Sequence, residues 1–304
     1  MQITAELVKR LREKTGVGMM ECKSALVESG GDLAEAEKIL RKRGLAAAAS
    51  RAGRATGEGV IACRLDPASR WGLLVELNCE TDFAARSEEF QKLVLEVLDE
   101  LERSAPASEG SAARPGADLM DLPLRSDPGR TLGQRISETI VRIGENVQLR
   151  RYAKMVAGES DGAGVVGSYV HMGSKIGVLV ELALASRQGA GDPAARSLAR
   201  DIAMHVAAAA PRFLHRNEVR PEVLAEEREI AREQALKSGK PPAVVDRIVQ
   251  GRMEKFFEEA CLEQQPFVRQ PDKTVGAILE EAAASLGGEV RVRRFVRFVL
   301  GQED

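Results

Sequence analysis

The chain has 304 residues, 44% of them hydrophobic, enough to bury one large core or several smaller ones joined by linkers. Its 44 basic and 46 acidic residues nearly cancel, which excludes a global field drawing the whole molecule to nucleic acid and favours a protein partner. Aromatics make up only 4% and charged residues 30%, a balance suited to helices packed through alanine and leucine with solvated outer faces. Cys22, Cys63, Cys79 and Cys261 lie far apart without a C-x-x-C spacing, so they read as buried or free thiols, not as a zinc site or redox pair. The opening MQITAELVKRLREK lacks the apolar stretch of a secretory signal, and no run approaches the ~20 apolar residues of a membrane span. A cytoplasmic chain is the expectation.

Residues 1–45 read as a module of three short helices. Thr4 caps a helix bearing Leu7, Val8 and Leu11 that Gly16 and Gly18 end. Met19 begins a second, with Cys22, Ala25 and Leu26 at helical spacing. After Gly30-Gly31, Asp32 caps a third bearing Leu33, Ala36, Ile39 and Leu40. Residues 46–58 are alanine, arginine and glycine without an apolar period, which predicts an exposed, partly helical connection that lets the module move.

An internal repeat follows. WGLLVEL (Trp71 to Leu77) matches IGVLVEL (Ile176 to Leu182), each preceded by a second strand pattern and followed by a helix. The first helix carries Phe90, Leu93, Val94, Val97, Leu98 and Leu101 behind the cap Ser87; the second carries Leu198, Ile202, Val206 and Ala209. Two related subdomains, each an antiparallel hairpin covered by helices, are expected over 59–156 and 157–304. Within the first, 104–130 is rich in Ser, Ala, Pro and Gly and reads as a loop or mobile insertion, while 132–143 is a helix and 147–156 a strand. Within the second, 221–263 reads as a helical hairpin turning at Ser238-Gly239-Lys240-Pro241-Pro242, with Ile230, Val245, Ile248, Val249, Phe256 and Phe257 as its seam. A helix over Thr274 to Ser285 and a strand over Glu289 to Leu300, its apolar face Val290, Val292, Val296 and Phe298, close the chain. The fold class is α+β.

Sites of bond-making chemistry are not legible. No G-x-x-x-x-G-K-[ST] phosphate cradle occurs, and GVGMMECKS (Gly16 to Ser24) lacks the second glycine before Lys23. His171, His205 and His215 share no metal-ligand spacing and flank no nucleophile, so no cofactor, metal or catalytic residue is assigned. The arginines Arg291, Arg293, Arg294 and Arg297, with the basic stretch Arg41 to Arg54, offer RNA binding as an alternative; without interleaved aromatics a solvated strand face is the plainer reading.

The unusual segment is ELNCETDFAAR, Glu76 to Arg86, which joins a buried strand to an amphipathic helix through Thr-Asp-Phe. One reading has Thr81 or Asp82 capping a turn while Phe83 folds inward as a staple. The other makes Phe83 the tip of a rigid wedge that inserts into a partner.

Two stretches, LREKTGVGMMECKSAL (Leu11 to Leu26) and ELNCETDFAAR, resemble the signature regions of the elongation factor Ts family. The similarity continues in order through GSYVHMGSKIGVLVEL, IAMHVAAAAPRF, SGKPP, IVQGRMEKFFEE and EQQPFVRQPDKTV, almost the whole chain. Ala84 departs from the family's usual valine, and the 104–130 stretch is not diagnostic. The resemblance implies a ubiquitin-associated-like N-terminal module and a guanine-nucleotide exchange factor, not an enzyme. Its partner would be elongation factor Tu in its GDP-bound and nucleotide-free states, with neither membrane nor direct nucleic-acid contact. It assigns Met19, Met20 and Lys23 to partner binding, and Thr81, Asp82, Phe83 and Ala84 to displacing the partner's magnesium.

Overall fold

The computed structural model describes residues 3–108, 112–158, 163–185, 187–237 and 241–302. The Thr4 hydroxyl accepts the Leu7 N–H at 3.3 Å to open α1 (Ala5–Thr15), which Gly16 ends at φ 70°. After α2 (Met19–Glu28), Asp32 accepts from the N–H groups of Ala34 and Glu35 at 2.8 and 2.9 Å and opens α3 (Leu33–Arg51). Val8, Leu11, Cys22, Ala25, Leu26, Ala36 and Leu40 form the module's core.

Helix α3 differs from expectation. It runs on to Arg51, through half of the supposed connection, because Leu45 to Arg51 is largely alanine, the residue that costs least in a helix. Ala48 on that extension packs into the core of the next subdomain. The module is thus carried on a continuous helix, and it also touches the body directly: Val141 packs against the module's core, and Arg142 Nε donates to the Thr15 carbonyl at 3.0 Å.

The body begins with β1 (Glu58–Leu65) and β2 (Trp71–Cys79), followed by α4 (Asp82–Arg86) and α5 (Glu88–Ser104). Then come β3 (Arg114–Pro115), α6 (Leu132–Ile143) and β4 (Val147–Val156), which complete a sheet in the order β1-β2-β4-β3. The second half repeats the plan with β5 (Gly164–Val170), β6 (Ile176–Leu184), α7 (Arg187–Gly191) and α8 (Pro193–Ala209). Its third strand, β9 (Val290–Val299), arrives only at the end of the chain, giving the order β5-β6-β9.

Strand alternation sorts the side chains into two layers. Leu73, Val75 and Leu77 face α5 and α6 in one outer core, and Val178, Val180 and Leu182 face α8 in the other. The inner faces of the two sheets meet through Ile61, Leu74, Ala153, Met155, Val166, Leu179, Val296 and Phe298. Close approach explains the glycine in each repeat: a Cβ at Gly72 would lie 2.9 Å from Leu179 and Val166, and one at Gly177 would lie 2.4 Å from Ile61.

The stretch expected as a mobile insertion is pinned to the first subdomain at several points among its described residues. Past Ser104, Ala105, Leu119 and Leu124 are buried in the first core, β3 pairs with β4, and Ser108 exchanges hydrogen bonds with the Lys154 backbone at 2.8 and 3.1 Å. Its buried residues, Ala105, Ser108, Gly116, Leu119 and Leu124, are spaced irregularly, with two of them on a 3-10 turn, so no period marked them.

Two helices, α9 (Pro221–Leu236) and α10 (Pro242–Ala260), form the hairpin; of the turn expected at 238–242, residues 238–240 lie outside the described residues and Pro242 already opens α10. The seam is smaller than expected. Ala231, Ala235, Val245 and Met253 are buried, whereas Ile230 is exposed. A short hairpin of β7 (Pro266–Phe267) and β8 (Gln270–Thr274), not foreseen, leads to α11 (Val275–Leu286) and β9 (Val290–Val299).

Candidate functional site

The Thr-Asp-Phe corner is built upward from the end of β2. Cys79 is fully buried there, and its Sγ donates to the Thr81 carbonyl at 3.2 Å. Burial, with the charge of Glu145 adding to it, pushes the thiol pKa up to about 12, so the proton of that bond stays in place. Thr81 is extended, with φ −128° and ψ 156°, and its hydroxyl accepts the Ala84 N–H at 3.2 Å as the N-cap of α4. The same hydroxyl donates to Glu145 Oε1 at 2.7 Å, while the Thr81 N–H donates to Oε2 at 3.0 Å. Ser87 ends the turn: its hydroxyl donates to the Ala84 carbonyl at 2.8 Å and accepts the Phe90 N–H at 3.3 Å, opening α5.

With five residues, α4 has room for one inward pair, and Ala84 and Ala85 occupy it, each 5% exposed. Phe83 is left on the opposite side at 78% exposure. The inward staple is therefore corrected: Phe83 projects into solvent. Ala84, grouped with it from the family resemblance, instead packs into the first core. Asp82 pairs with Arg86 at 2.8 Å, and the Arg86 guanidinium lies 5.3 Å from the Phe83 ring centroid. The tip is thus an exposed aromatic ring flanked by a balanced pair of charges.

A second apolar patch lies on α2, whose inward stripe of Cys22, Ala25 and Leu26 leaves Met19, Met20 and Lys23 outward. Met20 is 75% exposed. Val27, at 62%, extends the same exposed face one turn past Lys23, and the sequence did not single it out. Its signal was negative, because it lies off the buried stripe.

The other candidates are committed elsewhere. Arg294 Nε donates to Glu181 at 2.6 Å, and burial lowers the pKa of Arg297, which donates to the Ala207 carbonyl at 3.4 Å. His205 is buried against Gln265, His215 contacts Glu263, and His171 contacts Tyr169. No helix among the described residues is long and apolar enough to cross a membrane.

The described surface thus carries an exposed aromatic tip on one subdomain and an exposed helix face with two methionines on the N-terminal module. The family profile described as "Elongation factor TS" matches residues 80–302. Over 302 residues the chain is 41% identical to elongation factor Ts of Trichlorobacter lovleyi, covering 99% of this chain and 94% of that protein. It is 41% identical over 305 residues to elongation factor Ts of Aquifex aeolicus, covering 99% of each. With that of Lawsonia intracellularis it shares 39% identity over 303 residues, all of both chains. The chain belongs to the elongation factor Ts family. Its role is therefore that of a translation elongation factor, a nucleotide exchange factor without bond-making chemistry of its own.

Proposed function

We propose that this chain is the guanine-nucleotide exchange factor of elongation factor Tu, acting in the cytoplasm, and that its Thr81-Asp82-Phe83 corner disorders the partner's magnesium and phosphate site. The observation that carries the reading is Phe83 at 78% exposure on a turn capped and clamped at its base. An exposed phenylalanine on a rigid support is shaped to enter a pocket, and beside it the Asp82–Arg86 pair would present one charge of each sign to the cation and its phosphate ligands. The first three helices, read as a ubiquitin-associated-like module, hold the partner through Met19, Met20 and Lys23, with Val27 beside them. Soft thioether side chains suit that purpose because they adapt to an uneven surface.

The thermodynamics need no chemistry. Magnesium links the nucleotide's phosphates to the partner, so a wedge that displaces it weakens GDP. Linkage makes the effect mutual: bound nucleotide weakens this factor equally, and abundant GTP then expels it.

The test is release of a fluorescent GDP analogue from elongation factor Tu. A catalytic amount of this protein should accelerate release while leaving the final equilibrium unchanged. Release at the spontaneous rate would overturn the reading.

A further inference from the structure

We propose that Glu145, at the corner between α6 and β4, is the positioning residue of the exchange wedge; the proposal rests on the reading of Phe83 as that wedge. A helix of five residues cannot hold itself by its own hydrogen bonds. Its direction is set by its caps, above all by the Thr81 hydroxyl that accepts the Ala84 N–H. A hydroxyl has one proton and rotates freely unless that proton is engaged. Glu145 engages it at 2.7 Å, which turns the oxygen's lone pairs toward Ala84.

The other carboxylate oxygen takes the Thr81 backbone N–H at 3.0 Å. One carboxylate therefore fixes both the side-chain rotamer and the path of the main chain at the residue where α4 begins. Both bonds are charge-assisted.

Glu145 can act as an anchor because it is itself anchored. It follows Gly144, which ends α6 at φ 84°, and precedes the buried Asn146. The Asn146 N–H donates to Glu80 Oε1 at 2.6 Å, and its amide donates to the Arg54 carbonyl at 3.0 Å. Neighbouring residues on the two corners thus grip each other in parallel: Glu80 with Asn146, and Thr81 with Glu145. The grip comes from another element of the subdomain, outside the Thr-Asp-Phe segment. It is also chemically selective. An amide at position 145 would turn an N–H₂ toward one of two donors, serine at 81 would keep both bonds, and valine would keep only the backbone one.

The test compares nucleotide release from elongation factor Tu with urea unfolding for E145A, E145Q, T81S, T81V, F83A and the double variant E145A/F83A. E145A should lower the maximal release rate about five- to tenfold, the loss expected when an N-cap's orientation is freed, with little change in the concentration giving half-maximal rate. T81V should resemble E145A, and T81S, which keeps the hydroxyl, should be slowed less than T81V. In the F83A background E145A should add nothing, because no tip remains to be aimed. A merely structural residue would add its cost in both backgrounds. Should E145A fold poorly, E145Q carries the same comparison. A parent-like rate for E145A and E145Q, with F83A slow, overturns the role of Glu145 and leaves the wedge intact. An E145A effect undiminished in the F83A background also overturns it. A parent-like rate for F83A removes the wedge itself, and the positioning role with it.

Discussion

Phe83 is the residue on which two readings of the sequence diverged, and its environment separates their energetic forecasts. A phenylalanine buried in a core costs ~3–5 kcal/mol when truncated to alanine, whereas an exposed one loses almost nothing. At 78% exposure, F83A should leave the urea midpoint unchanged within error. If the ring is buried only against the partner, a contact of ~1.5–3 kcal/mol is lost there, and release should slow about ten- to a hundredfold. A destabilised variant that exchanges normally would sink the wedge. The sequence offered Thr81 or Asp82 as the cap and marked the corner as unusual, but did not show which way the ring points. That direction depends on Ala84 and Ala85 filling the inner side of α4, and on Glu145 from a distant corner gripping Thr81. Neither has a local signature. Physical reading of Asp82 and Phe83 left the wedge open; the family resemblance singled it out, and it also swept in Ala84, which is buried.

Elements with a strong period were legible, and those held by side-chain staples were not. The predicted strand 147–156 coincides with β4, and Thr274 caps α11 by accepting the Ala277 N–H at 3.2 Å. The β7–β8 hairpin escaped notice because its strands are too short to alternate; it is tied to α8 by His205 instead. The Val268 N–H donates to His205 Nδ1 at 3.2 Å, so the proton sits on Nε2, which bonds Gln265 Oε1 at 2.9 Å. Protonation would put a hydrogen on Nδ1 and break the first bond. Burial accordingly holds the imidazole below its usual pKa, against the opposing pull of Gln265. The sign follows from linkage. With the folded pKa depressed, the unfolded chain binds more protons, so this stability is full above the unfolded value near 6.5 and is lost as pH falls through the folded value. Urea midpoints at pH 7.5 and 5.5 should therefore drop for the parent by more than for H205N, which cannot titrate. Equal drops in the two proteins would place the acid sensitivity elsewhere.

At the scale of the whole molecule, the two halves hold each other as the subunits of a symmetric dimer do. The repeat was visible in WGLLVEL and IGVLVEL, but its third strands were not matched, since β4 follows its hairpin after helices and an edge strand while β9 waits until the chain's end. Side by side, Arg150-Arg151-Tyr152 and Arg293-Arg294-Phe295 occupy the same place, each beside a register shift opposite the repeat's glutamate. The buried Glu76 accepts from Arg151 at 2.7 Å and from the Gly301 N–H at 2.9 Å; the buried Glu181 accepts from Arg294 at 2.6 Å and from the Gly158 N–H at 3.1 Å. Arg151 reaches the Val299 carbonyl at 3.1 Å, and Arg294 reaches that of Val156 at 3.2 Å. Each half's glutamate thus holds the residue just past the other half's last strand, and each half's arginine holds that strand's end. Such reciprocity is the mark of an isologous interface, here within one chain. Removing one partner of a buried ion pair strands the other charge and costs ~3–5 kcal/mol. E76Q and E181Q should therefore be destabilised by similar amounts. Because each glutamate bridges both sheets, unfolding should remain one transition in both variants, followed by far-ultraviolet circular dichroism and by fluorescence of Trp71, the chain's single tryptophan, which lies in the first sheet. If the halves were energetically separate, E181Q would shift the dichroism while leaving the Trp71 signal at the parent midpoint. Coincident shifts of both signals in both variants are the expected result.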